Sequence, residues 1–244
     1  MKQILFFSTT FLLLLSVAQP TVSPPKMTKD LMNYCASLPE EFADISAERQ
    51  ASLQELGQYL YEQANAGEDT KVTVICTHNS RRSHIGQLWF QVAAEWYGIE
   101  GVQAYSGGTE STAFNPRAVA ALNRVGFRIG SLDNKDNTTY NASWHRGSRP
   151  ASRLLMFSKK YDHSMNPTEG FAAVMVCSDA DKSCPVVPGA EARFAIPFDD
   201  PRHFDNTPSE EMAYDKTCRL IARDIFYAMS YAKDLQVLDA ERSK

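Results

Sequence analysis

Lys71–Cys76 reads KVTVIC, a short run rich in β-branched residues, and its last residue opens directly onto a polar loop. Such a run predicts a buried strand. After the loop, from about Ser83 to Tyr97, the apolar residues Ile85, Leu88, Trp89, Val92, Ala93 and Trp96 recur at helical spacing. Gly98 is placed to end that helix. A strand feeding a helix through a short loop is the unit of an open α/β sheet, and ligands sit at the carboxyl ends of its strands.

The same alternation continues downstream. VQAYS (102–106) predicts a second strand, and Asn115-Pro116 opens a helix that carries Val119, Leu122 and Val125 inward and stops at Gly126. RLLMF (153–157), FAAVMVC (171–177) and the apolar run before Phe198 predict further strands. Thr207-Pro208-Ser209-Glu210 reads as a capping box for a last helix reaching about Leu235, with Tyr214, Cys218, Ile221, Ile225, Met229 and Ala232 facing inward. Strands alternating with helices predict a parallel sheet in a three-layer α/β fold. Ile45–Ala64 adds an accessory helix, and the polar stretch within 130–170, with sequons at Asn137 and Asn141, reads as an irregular insertion. The expected organisation is an accessory segment at 19–70, a catalytic-type domain at 71–236 and a tail at 237–244.

Residues 1–18 have the form of a signal peptide: Lys2, an apolar stretch from Ile4 to Val17, and Ser16 and Ala18 before a cleavage point. Export is expected, with an uncleaved membrane anchor as the alternative. Of 244 residues 43% are hydrophobic, enough for one sizeable core. A net charge of −4 excludes a general polyanion-binding surface, so nucleic acid is not an expected partner and any anion site must be local. Five cysteines in an exported chain leave at least one thiol without an intrachain partner.

One loop answers both points. Cys76-Thr77-His78-Asn79-Ser80-Arg81-Arg82-Ser83 has the form C-x5-R-S. Five residues between cysteine and arginine can curl so that backbone amides converge on a tetrahedral oxyanion at a helix amino terminus. Arg82 can fork two anion oxygens, and Ser83 can hydrogen-bond the Cys76 sulfur. The same environment favours a thiolate. Phe198-Asp199-Asp200-Pro201 supplies acids on a rigid loop, and Asp200 is the candidate proton donor.

VTVICTHNSRRS resembles the low-molecular-weight protein tyrosine phosphatase family, which includes thioredoxin-coupled arsenate reductases. AYSGGTE, NPRAVAALNRVGF, CSDADKSCP and FDDP extend the resemblance over about 71–235, apart from the insertion. It implies a four-stranded parallel sheet flanked by helices, with Cys76 as nucleophile, Arg82 as anion clamp and Asp200 as acid. In the similar reductases a pair like Cys177 and Cys184 forms a relay: arsenate binds the first thiol, the second releases arsenite, and the third closes a disulfide that a thioredoxin-like reductant reopens. Four positions depart from the pattern, namely Arg81, Gln87 and the pair Arg202-His203, so phosphotyrosine specificity and a potassium site are not implied.

Three readings stay open here: arsenate reduction, phosphomonoester hydrolysis, and a non-catalytic oxyanion- or phospholigand-binding module in which Cys177–Cys184 is a structural disulfide. No cofactor is expected. His84, His145, His163 and His203 lack metal-ligand spacing and are expected at the surface or the pocket mouth.

Overall fold

A computed structural model describes residues 27–67, 69–145, 153–184 and 186–243; the leader at 1–18 and residues 19–26 lie outside these. Four parallel strands form the main sheet: β1 (Thr70–Cys76), β2 (Val102–Gly108), β6 (Phe171–Met175) and β7 (Ala190–Ala195), in the order β2-β1-β6-β7. Both neighbours of β1 run parallel to it, with Val74 opposite Ser106 on one side and Val174 on the other. The chain steps outward from β1 to β2 and later returns to the other flank of β1. The order therefore reverses beside β1, and a crevice opens there at the carboxyl ends of the strands.

The predicted helix after the loop is α3 (Arg82–Tyr97), which lies on the sheet so closely that a side chain at Gly86 would meet Val74. Asn115 caps α4 (Pro116–Arg124) through Arg117 N–H as expected. The fold is the expected α/β sheet flanked by helices.

The accessory segment holds two helices rather than one, α1 (Lys29–Ser37) and α2 (Ala47–Ala66), joined by a 3-10 segment. Thr28 caps α1 through Leu31 N–H. α2 packs on the last helix, α6 (Glu210–Arg242), and Gly57 permits it: a Cβ there would lie 2.5 Å from the Ala228 carbonyl oxygen. Arg219 of α6 stacks over Tyr34 and bonds the Ser37 carbonyl and Glu41, which ties α1 to the domain.

Three expectations are corrected. The insertion is not irregular, because β3 (Arg128–Ser131), β4 (Tyr140–Ser143) and β5 (Arg153–Met156) pair as a separate antiparallel sheet. RLLMF thus belongs to that sheet, not the parallel one. These strands bury only single residues such as Ile129, Ala142 and Met156, and so carry no long apolar run. The expected 237–244 tail is mostly helix, since α6 continues to Arg242 and Asp239 accepts a bond from the Tyr61 hydroxyl. The capping box is also displaced. Glu210 reaches back to Asn206 N–H and Thr207 takes Ser209 N–H, so the helix begins at Glu210. Among the described residues no helix is long and apolar enough to cross a membrane.

Candidate active site

Cys76 ends β1 and Arg82 begins α3, so the intervening loop curls at the crevice. Four of its carbonyls point outward, each to a donor from the surrounding chain. Cys76 O and Thr77 O accept from Thr109 and Glu110 N–H, and Ser80 O accepts from Asn115 N–H. His78 O accepts from the hydroxyls of Thr112 and Ser158. A trans peptide points its N–H opposite its C=O, so the amides following these carbonyls turn toward the loop centre. Gly108 makes the close wrapping feasible: a Cβ there would sit 2.7 Å from both Asn79 N and Thr77 O.

Cys76 is 4% exposed, and its sulfur lies 3.0 Å from Ser83 Oγ. Asn79 Nδ2 donates to that same oxygen at 2.9 Å, which leaves the Ser83 hydroxyl hydrogen free for the sulfur. Asn79 holds the left-handed φ of 43° that this turn needs, a conformation asparagine tolerates. Its Oδ1 accepts the Lys159 N–H at 2.8 Å.

Arg82 is at the same hollow, but it is engaged. Its Nη2 donates to Asp200 Oδ2 at 2.6 Å and its Nη1 to the Phe198 carbonyl at 2.6 Å. Asp200 also caps a 3-10 turn through Arg202 N–H at 3.1 Å. The Arg81 side chain does not point at the anion position. Its Nε donates to the Tyr214 hydroxyl at 2.8 Å and its Nη2 meets Asp205 at 3.4 Å. Outside the hollow a cleft of about 220 Å³ is lined by Thr77, His78, Arg82, Asp200, Arg202 and His203. His78 faces Glu110 across 3.7 Å.

Cys177 follows β6, alongside the start of the loop. Its sulfur is 3.3 Å from the Thr77 hydroxyl and accepts the Ala180 N–H, capping the short helix α5 (Ser178–Ser183). Cys184 ends α5, half-buried against Tyr161. All five thiols are free, and Cys35 and Cys218 are buried away from the loop with thiols pushed up by burial.

His84 is corrected from a mouth residue to a core one. It is fully buried, stacked on Phe114, with Nδ1 3.2 Å from Ser106 Oγ. Burial, then the nearby Lys159 charge, hold it well below the usual histidine range. Sequence reasoning missed Ser158 and Lys159 altogether, because FSKKY reads as polar surface. Lys159 is only 5% exposed, and among the described residues no carboxylate pairs with its ammonium, which lies over the Phe157 ring. Burial lowers it from 10.5 to about 8. At about 1.4 kcal/mol per pH decade, the charge costs the fold about 3 kcal/mol.

The sign follows from linkage. Below about pH 8 both states hold the proton and the cost is complete. Between about 8 and 10.5 the folded protein sheds it first, and the cost fades. Lys159→Met is therefore expected to stabilise the protein by about 3 kcal/mol at pH 7, with the advantage shrinking as pH rises through that window. Urea unfolding of both proteins at pH 7 to 10 measures it, and equal stability throughout refutes it.

The fold and the strand-loop-helix site define a cysteine-dependent enzyme built to hold an oxyanion, and comparison with known proteins agrees. The model of the low molecular weight phosphotyrosine protein phosphatase family matches residues 71–142. An arsenate reductase of Staphylococcus epidermidis is 32% identical over 129 residues, 52% of this chain and 75% of the relative. One from Staphylococcus aureus is 29% identical over 136 residues, 54% and 80% respectively. Among solved structures, a low molecular weight protein tyrosine phosphatase from T. tengcongensis aligns at 15% identity with a TM-score of 0.46, covering 66% of this chain and 98% of that one. The arsenate reductase of Archaeoglobus fulgidus aligns at 18% with a TM-score of 0.41, covering 66% and 99%. The chain belongs to the low-molecular-weight phosphotyrosine protein phosphatase family, as a cysteine-dependent phosphatase or arsenate reductase.

Proposed function

We propose that this chain reduces arsenate to arsenite through Cys76, Cys177 and Cys184. The observation that carries the reading is the placement of Cys177 beside the loop, its sulfur 3.3 Å from the Thr77 hydroxyl, with Cys184 at the far end of a six-residue helix. An ester hydrolase has no use for either thiol. The loop amides and Arg82 hold arsenate, and the Cys76 thiolate displaces one arsenate oxygen, which leaves as water after taking up protons. Cys177 then attacks the Cys76 sulfur. An S–S bond forms, the S–As bond breaks, and its electron pair stays on arsenic as arsenite. Cys184 attacks Cys177, freeing Cys76 as a thiolate and leaving Cys177–Cys184 oxidised. A dithiol reductant of thioredoxin type returns two electrons and two protons to that pair.

Phosphomonoester hydrolysis is the second reading, and Asp200 favours it. The carboxylate stands at the hollow over Cys76, where it can protonate a leaving oxygen and later activate water. The polar cleft with Arg202 and His203 in place of aromatic walls suits a small or charged substrate better than a phosphotyrosine ring. The signal-like form of residues 1–18 supports export or an amino-terminal membrane anchor, with either chemistry then acting outside the cytoplasm. The test is direct: purified protein with a dithiol donor is expected to convert arsenate to arsenite. Hydrolysis of an aryl phosphate without arsenite formation hands the assignment to the second reading.

A further inference from the structure

Two adjacent arginines bracket a single carboxylate. Arg82 Nη2 holds Asp200 Oδ2 at 2.6 Å, while Arg81 Nε stands 4.0 Å from Asp200 Oδ1. Before Arg82 can fork an oxyanion it must give up both Asp200 and the Phe198 carbonyl. Asp200 would then keep only the Arg202 N–H, with its side chain 15% exposed. Losing the one cation that, among the described residues, hydrogen-bonds a largely buried carboxylate is costly. The carboxylate would therefore resist, and anion binding would be weakened by the competition.

Arg81 is built to remove that cost. Tyr214 of α6 anchors its Nε, and Asp205 holds its other end at 3.4 Å. Tyr214 in turn donates to Asp205 at 2.7 Å, so the guanidinium is held beside Asp200 rather than swinging free. A movement of about 1 Å, in which the single Nε–H turns from the Tyr214 hydroxyl to Asp200 Oδ1, brings Arg81 into hydrogen-bond range of Asp200 while its Nη2 stays on Asp205. The other charged or titratable groups facing Asp200 do not replace it. Asp199 is itself an acid, Arg202 and His203 line the open cleft, Lys216 lines a separate, mostly apolar groove on the other side of the Asp200 loop, and Cys76 and His78 lie across the hollow.

We propose that Arg81 is a positioning residue that takes over the Asp200 carboxylate when an oxyanion draws Arg82 away. The inference rests on the reading that the Cys76–Ser83 loop binds oxyanions through Arg82, and it holds for either reaction. Arg81 thus governs affinity without touching the anion.

A double-mutant cycle read by binding of inorganic phosphate tests it. Arg81→Met is expected to weaken phosphate binding about tenfold, because Asp200 then clings to Arg82. In the Asp200→Asn background there is no carboxylate to hand over, and the same change is expected to cost no more than about twofold. Arg81→Lys keeps the charge and is expected to recover part of the affinity in the native background; it also serves if the methionine variant folds poorly. An equal loss in both backgrounds, or none in either, overturns the proposal. Wild-type protein that fails to bind phosphate overturns the oxyanion reading of the loop, and this inference with it.

Discussion

Cys76→Ser is expected to abolish turnover, lowering the rate on arsenate and on aryl phosphate about a thousandfold or more. Serine fills nearly the same volume, and Ser83 Oγ, 3.0 Å from the present sulfur, remains as its partner. The loop's outward carbonyls are bonded to Thr109, Glu110, Ser158 and Asn115, none of which touches the sulfur. Thermal stability should therefore change by less than about 1 kcal/mol. What is lost is the nucleophile. An alkanol is a far weaker nucleophile than a thiol, and among the described residues the hydrogen-bond partner of the side chain at position 76 is the Ser83 hydroxyl, which is no base to take its proton. Kinetic assays on both substrates, with thermal unfolding as control, give the result. A serine variant with wild-type rates would remove Cys76 from the chemistry and with it the central assignment.

The parts of the molecule that were legible in the sequence share a physical reason. KVTVIC and the 85–96 face bury long apolar runs, so their periodicity survives any local detail. The loop between them needed only its position to be read. The insertion was opaque because each of its strands buries one residue in four, which is too little and too short for alternation to show. His84 misled because one histidine on a helix carries no sign of which way the helix faces. In the structure it is packed against Phe114 and Ser106. Arg81 was legible as a residue of the anion loop, but not the place of its guanidinium, which reaches Tyr214 and Asp205. Tyr214 itself was legible as an inward residue of the last helix, but not as the anchor of a loop arginine 133 positions away. Chain periodicity reports which face is buried; it does not report which polar tip reaches whom.

Cys184→Ser is expected to stop multiple turnover of arsenate while sparing aryl phosphate hydrolysis. The reason lies in α5. Its six residues separate Cys177 from Cys184, and at about 1.5 Å of rise per residue their Cα atoms are about 10 Å apart. A disulfide requires roughly 4.4–6.8 Å, so the pair can close only if α5 unwinds. Such unwinding is cheap, because so short a helix has little stability of its own. The chemistry can also trigger it. The Cys177 sulfur caps α5 by accepting the Ala180 N–H at 3.3 Å, and the same sulfur must leave that amide to attack Cys76. The first thiol exchange thus removes the helix cap and frees Cys184 to approach. With serine at 184 the first exchange still occurs, and the protein should be trapped after one turnover as a Cys76–Cys177 disulfide, two hydrogens lighter by mass spectrometry. Arsenite should then form in a single burst equal to the enzyme present. Sustained arsenate turnover by the variant with a dithiol protein reductant would show that Cys184 is not in the relay. Parallel loss of aryl phosphate hydrolysis would show instead that Cys184 supports the fold near the loop rather than the electron path.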